Sequence, residues 1–272
     1  MHLRLTPSAQ VLLTPFKGAF LYRIVTYNVR RCLGTDGRLE PGRIAEVIAS
    51  CDPHIVALQE LDVGRARTGG VDQAEAVAAA LGMQMHFHPA LRVFDELYGD
   101  AILTTRPSKL VKAGALPAPH HQDLEPRGAL WVTAQVGGRN FEVVNTHLGL
   151  RGMERLLQVD ALLGPDWIGA ALPASPLMLV GDFNAVPSSR AYRRIVRRLR
   201  DAQALAVGRP RPTFPSRLPF LRLDHVFVNA GVEVVRVETI RTPVSRVASD
   251  HLPLLVEFRV LSAPGRPGGV LH

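Results

Sequence analysis

Six times along this chain a strand-length apolar segment begins or ends on a carboxylate, amide or imidazole side chain, and that recurrence limits the folds open to it. The clearest case is Leu177-Met178-Leu179-Val180-Gly181-Asp182-Phe183-Asn184, where an apolar run delivers Asp182 and Asn184 two residues apart. Strand side chains alternate faces, so the pair is expected to point the same way at the strand's carboxyl end. Gly181 before them and Pro187-Ser188-Ser189 after them mark a turn, a usual place for a scaffold to present chemistry. The design repeats with Asn28 after Arg23–Tyr27, Glu60 after His54–Gln59, His147 after Phe141–Thr146, then Asp224, and then Asp250-His251 before Leu254. These groups are expected to converge on one rim of a sheet.

At 272 residues and 47% hydrophobic content the chain can bury a large core. Its 23 glycines and 21 prolines are scattered between periodic segments with no linker-like shift in composition, so one domain is expected. Residues 1–21 read as an extension, 22–260 as a single catalytic domain and 261–272 as a flexible Pro/Gly-rich tail. Two cysteines, Cys32 and Cys51, are too few for a disulfide framework and fit a reducing compartment. No apolar run is long enough to span a bilayer or to form a signal-peptide core, and a soluble cytoplasmic protein is expected. The net charge of +8 favours an acidic partner such as nucleic acid or an anionic lipid surface, although part of it reflects a general use of arginine.

Helices are expected at Pro41–Ala49, around Val71–Leu81 with Gly82 as its stop, at Met153–Leu163 and at Ser189–Arg200. The last would carry Tyr192, Ile195, Val196 and Leu199 as its apolar stripe and crowd Arg193, Arg194, Arg197, Arg198 and Arg200 on the remainder. Such a face suits nucleic-acid phosphates, anionic headgroups or plain solvent. Further strands are expected near His86–Ala90, Ala101–Thr104, Ala129–Val136, Leu223–Val228, Val232–Glu238 and Leu254–Val260. In the second half strands succeed one another with only turns between, which argues for antiparallel pairing.

The motifs Thr26-Tyr27-Asn28, Gln59-Glu60, Tyr98-Gly99-Asp100, Asn145-Thr146-His147-Leu148, Gly181-Asp182-Phe183-Asn184, Leu223-Asp224-His225 and Ser249-Asp250-His251 occur in an order that resembles the endonuclease/exonuclease/phosphatase (DNase I-like) superfamily of metal-dependent phosphohydrolases. The resemblance covers about Tyr22 to Arg259. It implies an α/β fold, a four-layer sandwich of two packed, mixed but largely antiparallel β-sheets flanked by helices, with the site at the rim between the sheets. It also implies a Mg²⁺-dependent phosphoesterase acting on phosphodiester bonds, nuclease-type first, with Mn²⁺ as an alternative ion. A lipid or small-molecule phosphodiesterase or phosphatase is the second reading and a non-catalytic polyanion-binding module the third. Nothing in the pattern marks an obligate protein partner.

By the same resemblance, Glu60 is the first metal ligand, joined by Asn28 and Asp250, whose oxygens suit a hard cation. Asp182 would position or deprotonate the attacking water and Asn184 would hold that geometry or donate to the phosphate. His251 would donate to the scissile phosphate or accept a proton, with Asp224 fixing its tautomer and favouring its charged form, and His147 would donate to a non-bridging oxygen. Tyr98 donates to phosphate or only packs. Arg65, Arg67, Arg127 and Asp100 are candidates for the substrate side, since arginine forks suit phosphate oxygens. Two departures stand out. Arg30 occupies a position where related nucleases often carry an acid, which weakens the case for a second metal, and Asp100 replaces the usual Asn. The Gly69-Gly70 loop lacks the Gly-Lys-Ser/Thr ending of a Walker loop. Each residue also has an ordinary structural use, Asn28 in a turn and Asp182 as a helix cap among them, so the weight lies in the ordered set.

Overall fold

The computed structural model describes residues 20–119, 123–169 and 175–261. The expected extension up to residue 19 and the expected tail from 262 lie outside the described residues. In chain order the strands are β1 (Tyr22–Asn28), β2 (Ile55–Val63), β3 (Gln84–Val93), β4 (Glu96–Thr104), β5 (Ser108–Ala115), β6 (Gly128–Val136), β7 (Arg139–His147), β8 (Leu177–Asp182), β9 (Arg200–Asp201), β10 (Asp224–Val228), β11 (Val232–Thr239) and β12 (Leu254–Val260). The principal helices are α1 (Pro41–Ala49), α2 (Gln73–Leu81), α3 (Gly152–Leu162) and α4 (Arg190–Ile195).

The strands make two six-stranded mixed sheets, β11-β12-β1-β2-β4-β3 and β5-β6-β7-β8-β10-β9. Both have the same pairing pattern. One parallel pair sits at the centre, β1 with β2 and β7 with β8, and antiparallel strands flank it on both sides. The central strands are apolar almost throughout because both of their faces are covered. One face of each packs on the other sheet, through Ile24, Ile55, Phe141, Val180, Val226 and Val256. Phe141 stacks on Phe258 at 5.0 Å in that shared core. The outer face of the first sheet is covered by Ile44, Ile48 and Val77 of α1 and α2, and that of the second by Val159, Leu162 and Ile195 of α3 and α4. The result is the four-layer α/β sandwich expected.

Local chemistry explains the helix bounds. Pro41 opens α1, where a missing N–H is harmless. Asp72 caps α2 by accepting from the Glu75 N–H, and Gly82 ends it in the left-handed conformation. The helix expected over Ser189–Arg200 is shorter. It stops at Ile195, and the chain turns so that Arg200 and Asp201 pair with Val228 and Phe227 of β10. Val196, expected in its apolar stripe, is 38% exposed. Strand β5 falls in a stretch with no expected element. Among the described residues no helix is long and apolar enough to cross a membrane.

Candidate active site

The C-terminal ends of β1, β2, β7 and β8 lie at one end of the sandwich and deliver Asn28, near-terminal Glu60, His147 and Asp182 there. Register fixes the neighbours, since Asp182 stands beside His147 on one side and beside Asp224 on the other. Gly181 makes this pairing fit: at φ +137° a Cβ there would sit 1.9 Å from the Thr146 carbonyl oxygen.

Asp182 and Asn184 reach the site differently from the expected alternation. The strand ends at Asp182, whose Oδ1 accepts the Asn184 N–H at 2.8 Å, and Asn184 takes a left-handed φ of 47°. Its amide then donates to the Leu148 carbonyl at 2.9 Å and lies 3.1 Å from Nε2 of His147. Glu60 does not close its strand. β2 continues to Val63, and a bulge between Leu58 and Leu61 turns Glu60 outward with φ 62°. A non-glycine residue in that conformation is strained, and such strain collects at functional sites.

Asn28 braces the two carboxylates. Its Nδ2 donates to Glu60 Oε1 at 2.9 Å and to Asp182 Oδ2 at 3.0 Å, while its Oδ1 accepts the Arg30 N–H at 3.0 Å. Asp250 sits at the margin, one-third exposed, with its carboxylate 3.4 Å from Nε of Arg30. The guanidinium at the departing position is therefore paired with an acid of the site.

His251 Nδ1 is 2.9 Å from Asp224 Oδ2, its Nε2 is 3.6 Å from Asp182 Oδ2, and its ring rests on Phe214 at 4.8 Å. Burial opposes a charged imidazole, but the adjacent Asp224 and Asp182 outweigh it and raise His251 to about 10. The Arg127 guanidinium faces Nδ1 of His147 at 3.2 Å, and the Asn184 amide faces its Nε2 at 3.1 Å. That nitrogen lies 3.6 Å from Asp182 and 4.0 Å from Glu60. Burial and then Arg127 hold His147 far below its ordinary value, and it is neutral. The two histidines on either side of Asp182 thus differ in charge.

Two further carboxyls carry a burial penalty. Asp182 is raised by desolvation, partly offset by His251, and Asp100 is pushed up to about 8 by desolvation, partly offset by Arg127. Asp100 accepts the Glu60 N–H and lies beneath that residue, with Arg127 and Tyr98 beside it. Tyr98 is buried, and desolvation followed by Glu60 raises its phenol, which stays protonated and able to donate.

Buried carboxylates held above their ordinary range describe a place that favours a cation, and the all-oxygen donors of Glu60 and Asp182 suit a hard divalent ion. Asp182, Asp224 and His251 also lie within 4.8 Å of one another, a spacing a metal could bridge. Nδ1 of His251 is already engaged by Asp224, so we read those two as a proton-holding pair.

Two substrate candidates are committed elsewhere. Arg67 makes a two-pronged pair with the fully buried Asp62, at 2.8 and 2.7 Å, and stacks over Tyr98, while Arg65 faces Asp62 and Glu96 at 4.0 and 3.5 Å. Asp62, buried near the end of β2, takes up their charge. Arg127 does enter the site, with its Nη1 shared between Glu125 at 2.6 Å and His147.

Gln59 and Asn145 acquire a part not expected of them. Gln59 donates to Asn145 Oδ1 at 2.7 Å across the sheet interface, and Asn145 donates to the carbonyls of Leu58 and Ala101, each at 2.9 Å. This buried bolt joins the sheets directly under Glu60 and His147. Its signal in the sequence is an amide one or two residues inside an otherwise apolar strand end.

The sequence profile of the Endonuclease/Exonuclease/phosphatase family matches residues 25–251. The chain belongs to this family. Over 140 residues it is 32% identical to the Uncharacterized protein YbhP of Escherichia coli K12, covering 50% of this chain and 54% of that protein. The chain thus spans about half the length of the curated relatives it matches. The human Nocturnin catalytic domain, solved with a bound sulfate anion, superposes with a TM-score of 0.68 at 25% identity, covering 88% of this chain and 94% of that one. The mannosyl-6-phosphatase Bt3783 of Bacteroides thetaiotaomicron shares the fold with a TM-score of 0.69 at 22% identity, over 87% and 99% of the two chains. Members of this family are generally phosphoesterase-type hydrolases, typically dependent on divalent metal ions.

Proposed function

We propose that this chain hydrolyses phosphodiester bonds with a divalent cation, Mg²⁺ or Mn²⁺, held by Glu60 with Asp182 close by and Asp250 at the margin. The observation that carries the reading is the meeting of Glu60, Asp182, a neutral His147 and the Asp224–His251 pair within hydrogen-bonding or ion-pairing reach at one sheet rim. When bound, such a cation neutralises phosphate charge and polarises the P–O bonds.

The side chains account for the remaining needs of the reaction. Water attacks phosphorus, its proton passes to Oδ2 of Asp182, and the opposite ester P–O bond breaks as the leaving oxygen takes up a proton from solvent. Asn184 fixes the Asp182 carboxylate through its own N–H. His251, kept charged by Asp224, donates from Nε2 to a phosphate oxygen, and the neighbouring His147 and Asn184 offer an N–H to another. Tyr98 and Arg127 line the same wall and offer further donors.

Two substrate classes deserve assay first. The charge of +8 speaks for nucleic acid, and the apolar fringe described below speaks for a lipid phosphodiester. The test is hydrolysis of plasmid DNA, single-stranded RNA, bis-p-nitrophenyl phosphate, phosphoinositides and sphingomyelin, with and without Mg²⁺, using Asp182→Asn as control. Metal-dependent turnover that disappears in the variant is expected. Metal binding without turnover on any substrate would favour a polyanion-binding module instead.

A further inference from the structure

We infer that the rim around this site docks on an anionic lipid surface and draws its phosphoester from that surface, an inference that rests on the phosphodiesterase reading above. Seven large apolar side chains among the described residues are more than 60% exposed: Phe20, Phe94, Leu150, Met153, Val207, Leu218 and Phe220. Single exposed hydrophobics are ordinary, so location is what decides. Five of these seven ride on segments that leave the site strands at the site end.

Phe94, 91% exposed, tips the turn between β3 and β4, just beyond the stretch of β4 that carries Tyr98 and Asp100. Leu150, at 72%, follows His147 by three residues, and Met153, at 62%, lies in the first turn of α3. Leu218 and Phe220, at 73% and 69%, belong to the loop between Phe214, which packs on His251, and Asp224. Three separate segments therefore raise apolar side chains around one opening. That loop is held down at its base, since the Ser216 hydroxyl donates to the Ser249 carbonyl at 2.7 Å and Arg217 donates to Thr35 at 3.0 Å. The exposed side chains are presented by an anchored loop.

Charge completes the pattern. A groove of about 570 Å³ between α3 and α4 sets Met153 and Leu157 beside Arg190, Arg193 and Arg197. Arg194 pairs with Asp160, whereas Arg190, Arg193 and Arg197 have no acid partner among the described residues. Apolar side chains flanked by unpaired arginines match the boundary between acyl chains and anionic headgroups. A single strand would use the arginines and could stack on Phe94 or Phe220, whereas the aliphatic Leu150, Met153 and Leu218 suit acyl chains better than base faces.

The test is sedimentation with vesicles of phosphatidylcholine alone and of phosphatidylcholine with phosphatidylserine. The subjects are the whole chain, the triple variant Phe94→Ser/Leu150→Ser/Phe220→Ser, and Arg193→Glu/Arg197→Glu. We expect partitioning onto the anionic vesicles only, a loss of at least tenfold in either variant, and unchanged turnover of soluble bis-p-nitrophenyl phosphate. Hydrolysis of a phosphodiester lipid in the vesicles should fall in parallel with binding. Failure of the whole chain to bind, equal binding by the variants, or tighter binding to a single-stranded oligonucleotide than to vesicles would overturn the inference. Vesicle binding by Asp182→Asn needs no turnover, so a docking failure is distinguishable from a failure of the phosphodiesterase reading.

Discussion

Replacing Asp100 by Asn should make the metal-free protein more stable, and by more as the pH rises. Asp100 is 4% exposed beneath Glu60, and burial lifts its pKa from 3.8 to about 8. The folded-state value lies above the unfolded one. The stability linked to this proton is therefore fully present below about pH 4 and is lost as the pH climbs through about 8. A rise of about four pH units, at about 1.36 kcal/mol each, sets the penalty in alkaline solution on the order of 5 kcal/mol. An Asn keeps an oxygen to accept the Glu60 N–H and never ionises, but it deprives Arg127 of a neighbouring acid. Net of that loss, we expect Asp100→Asn to match the parent near pH 4 and to exceed it by about 2–4 kcal/mol near pH 9, roughly 5–15 °C in melting temperature for a domain of this size. The assay is thermal or urea unfolding in EDTA across that range. If the variant is less stable at pH 9 and keeps the parent's pH slope, Asp100 is an ionised partner of Arg127 and the desolvation argument fails.

Asp224→Asn should return His251 to or below its ordinary value. In the parent, the stability from charging this ring is present below about pH 6.5 and lost as the pH rises through about 10, a window that ring NMR titration of the metal-free protein reads directly. Turnover at pH 8 should fall about 10²–10⁴-fold in that variant. Glu60→Gln should lower Mg²⁺ affinity at least tenfold by calorimetry (about 1.4 kcal/mol) with unchanged circular dichroism. Asn145→Leu removes the donor to the Leu58 and Ala101 carbonyls and one of the three acceptors of the Gln59 amide, and should lose about 3 kcal/mol in urea unfolding. Arg67→Ala strips the main partner from buried Asp62 and should destabilise by about 2–3 kcal/mol while leaving KM unchanged, which separates a loop clamp from a substrate contact.

What could be read from the residues follows how completely each segment is buried. The span Pro41–Ala49 of α1 and Leu254–Val260 of β12 match their expected bounds, because long apolar runs and a Pro start leave few alternatives. Strand β5 is an edge strand with exposed Leu110 and Val111 and interior glycine, so its pattern carries no clear period. The convergence of Asn28, Glu60, His147, Asp182, Asp224 and His251 was legible from their places at strand ends. The bulge at Glu60 and the left-handed turn at Asn184 were not, since each depends on a backbone φ that no side chain announces. Pairing was equally hidden. Asp62 lies only a few residues from Arg65 and Arg67, but nothing in the spacing says that its carboxylate is wholly buried between them and therefore claims their charge.

Strands β1 and β12 are antiparallel neighbours, with Tyr22 opposite Phe258 and Thr26 opposite Leu254. The chain thus enters the sandwich at Tyr22 and leaves it at Val260 on the end away from Asn28 and His251. The Gly137-Gly138 turn lies there too, its Gly137 N–H bonded to the Tyr22 hydroxyl at 2.9 Å. The molecule therefore has a working end and a mounting end. Immobilising it through either flanking segment leaves the opening clear, and a circular permutant that joins the flanks and reopens the chain between Gly137 and Gly138 would place its new termini at the base as well.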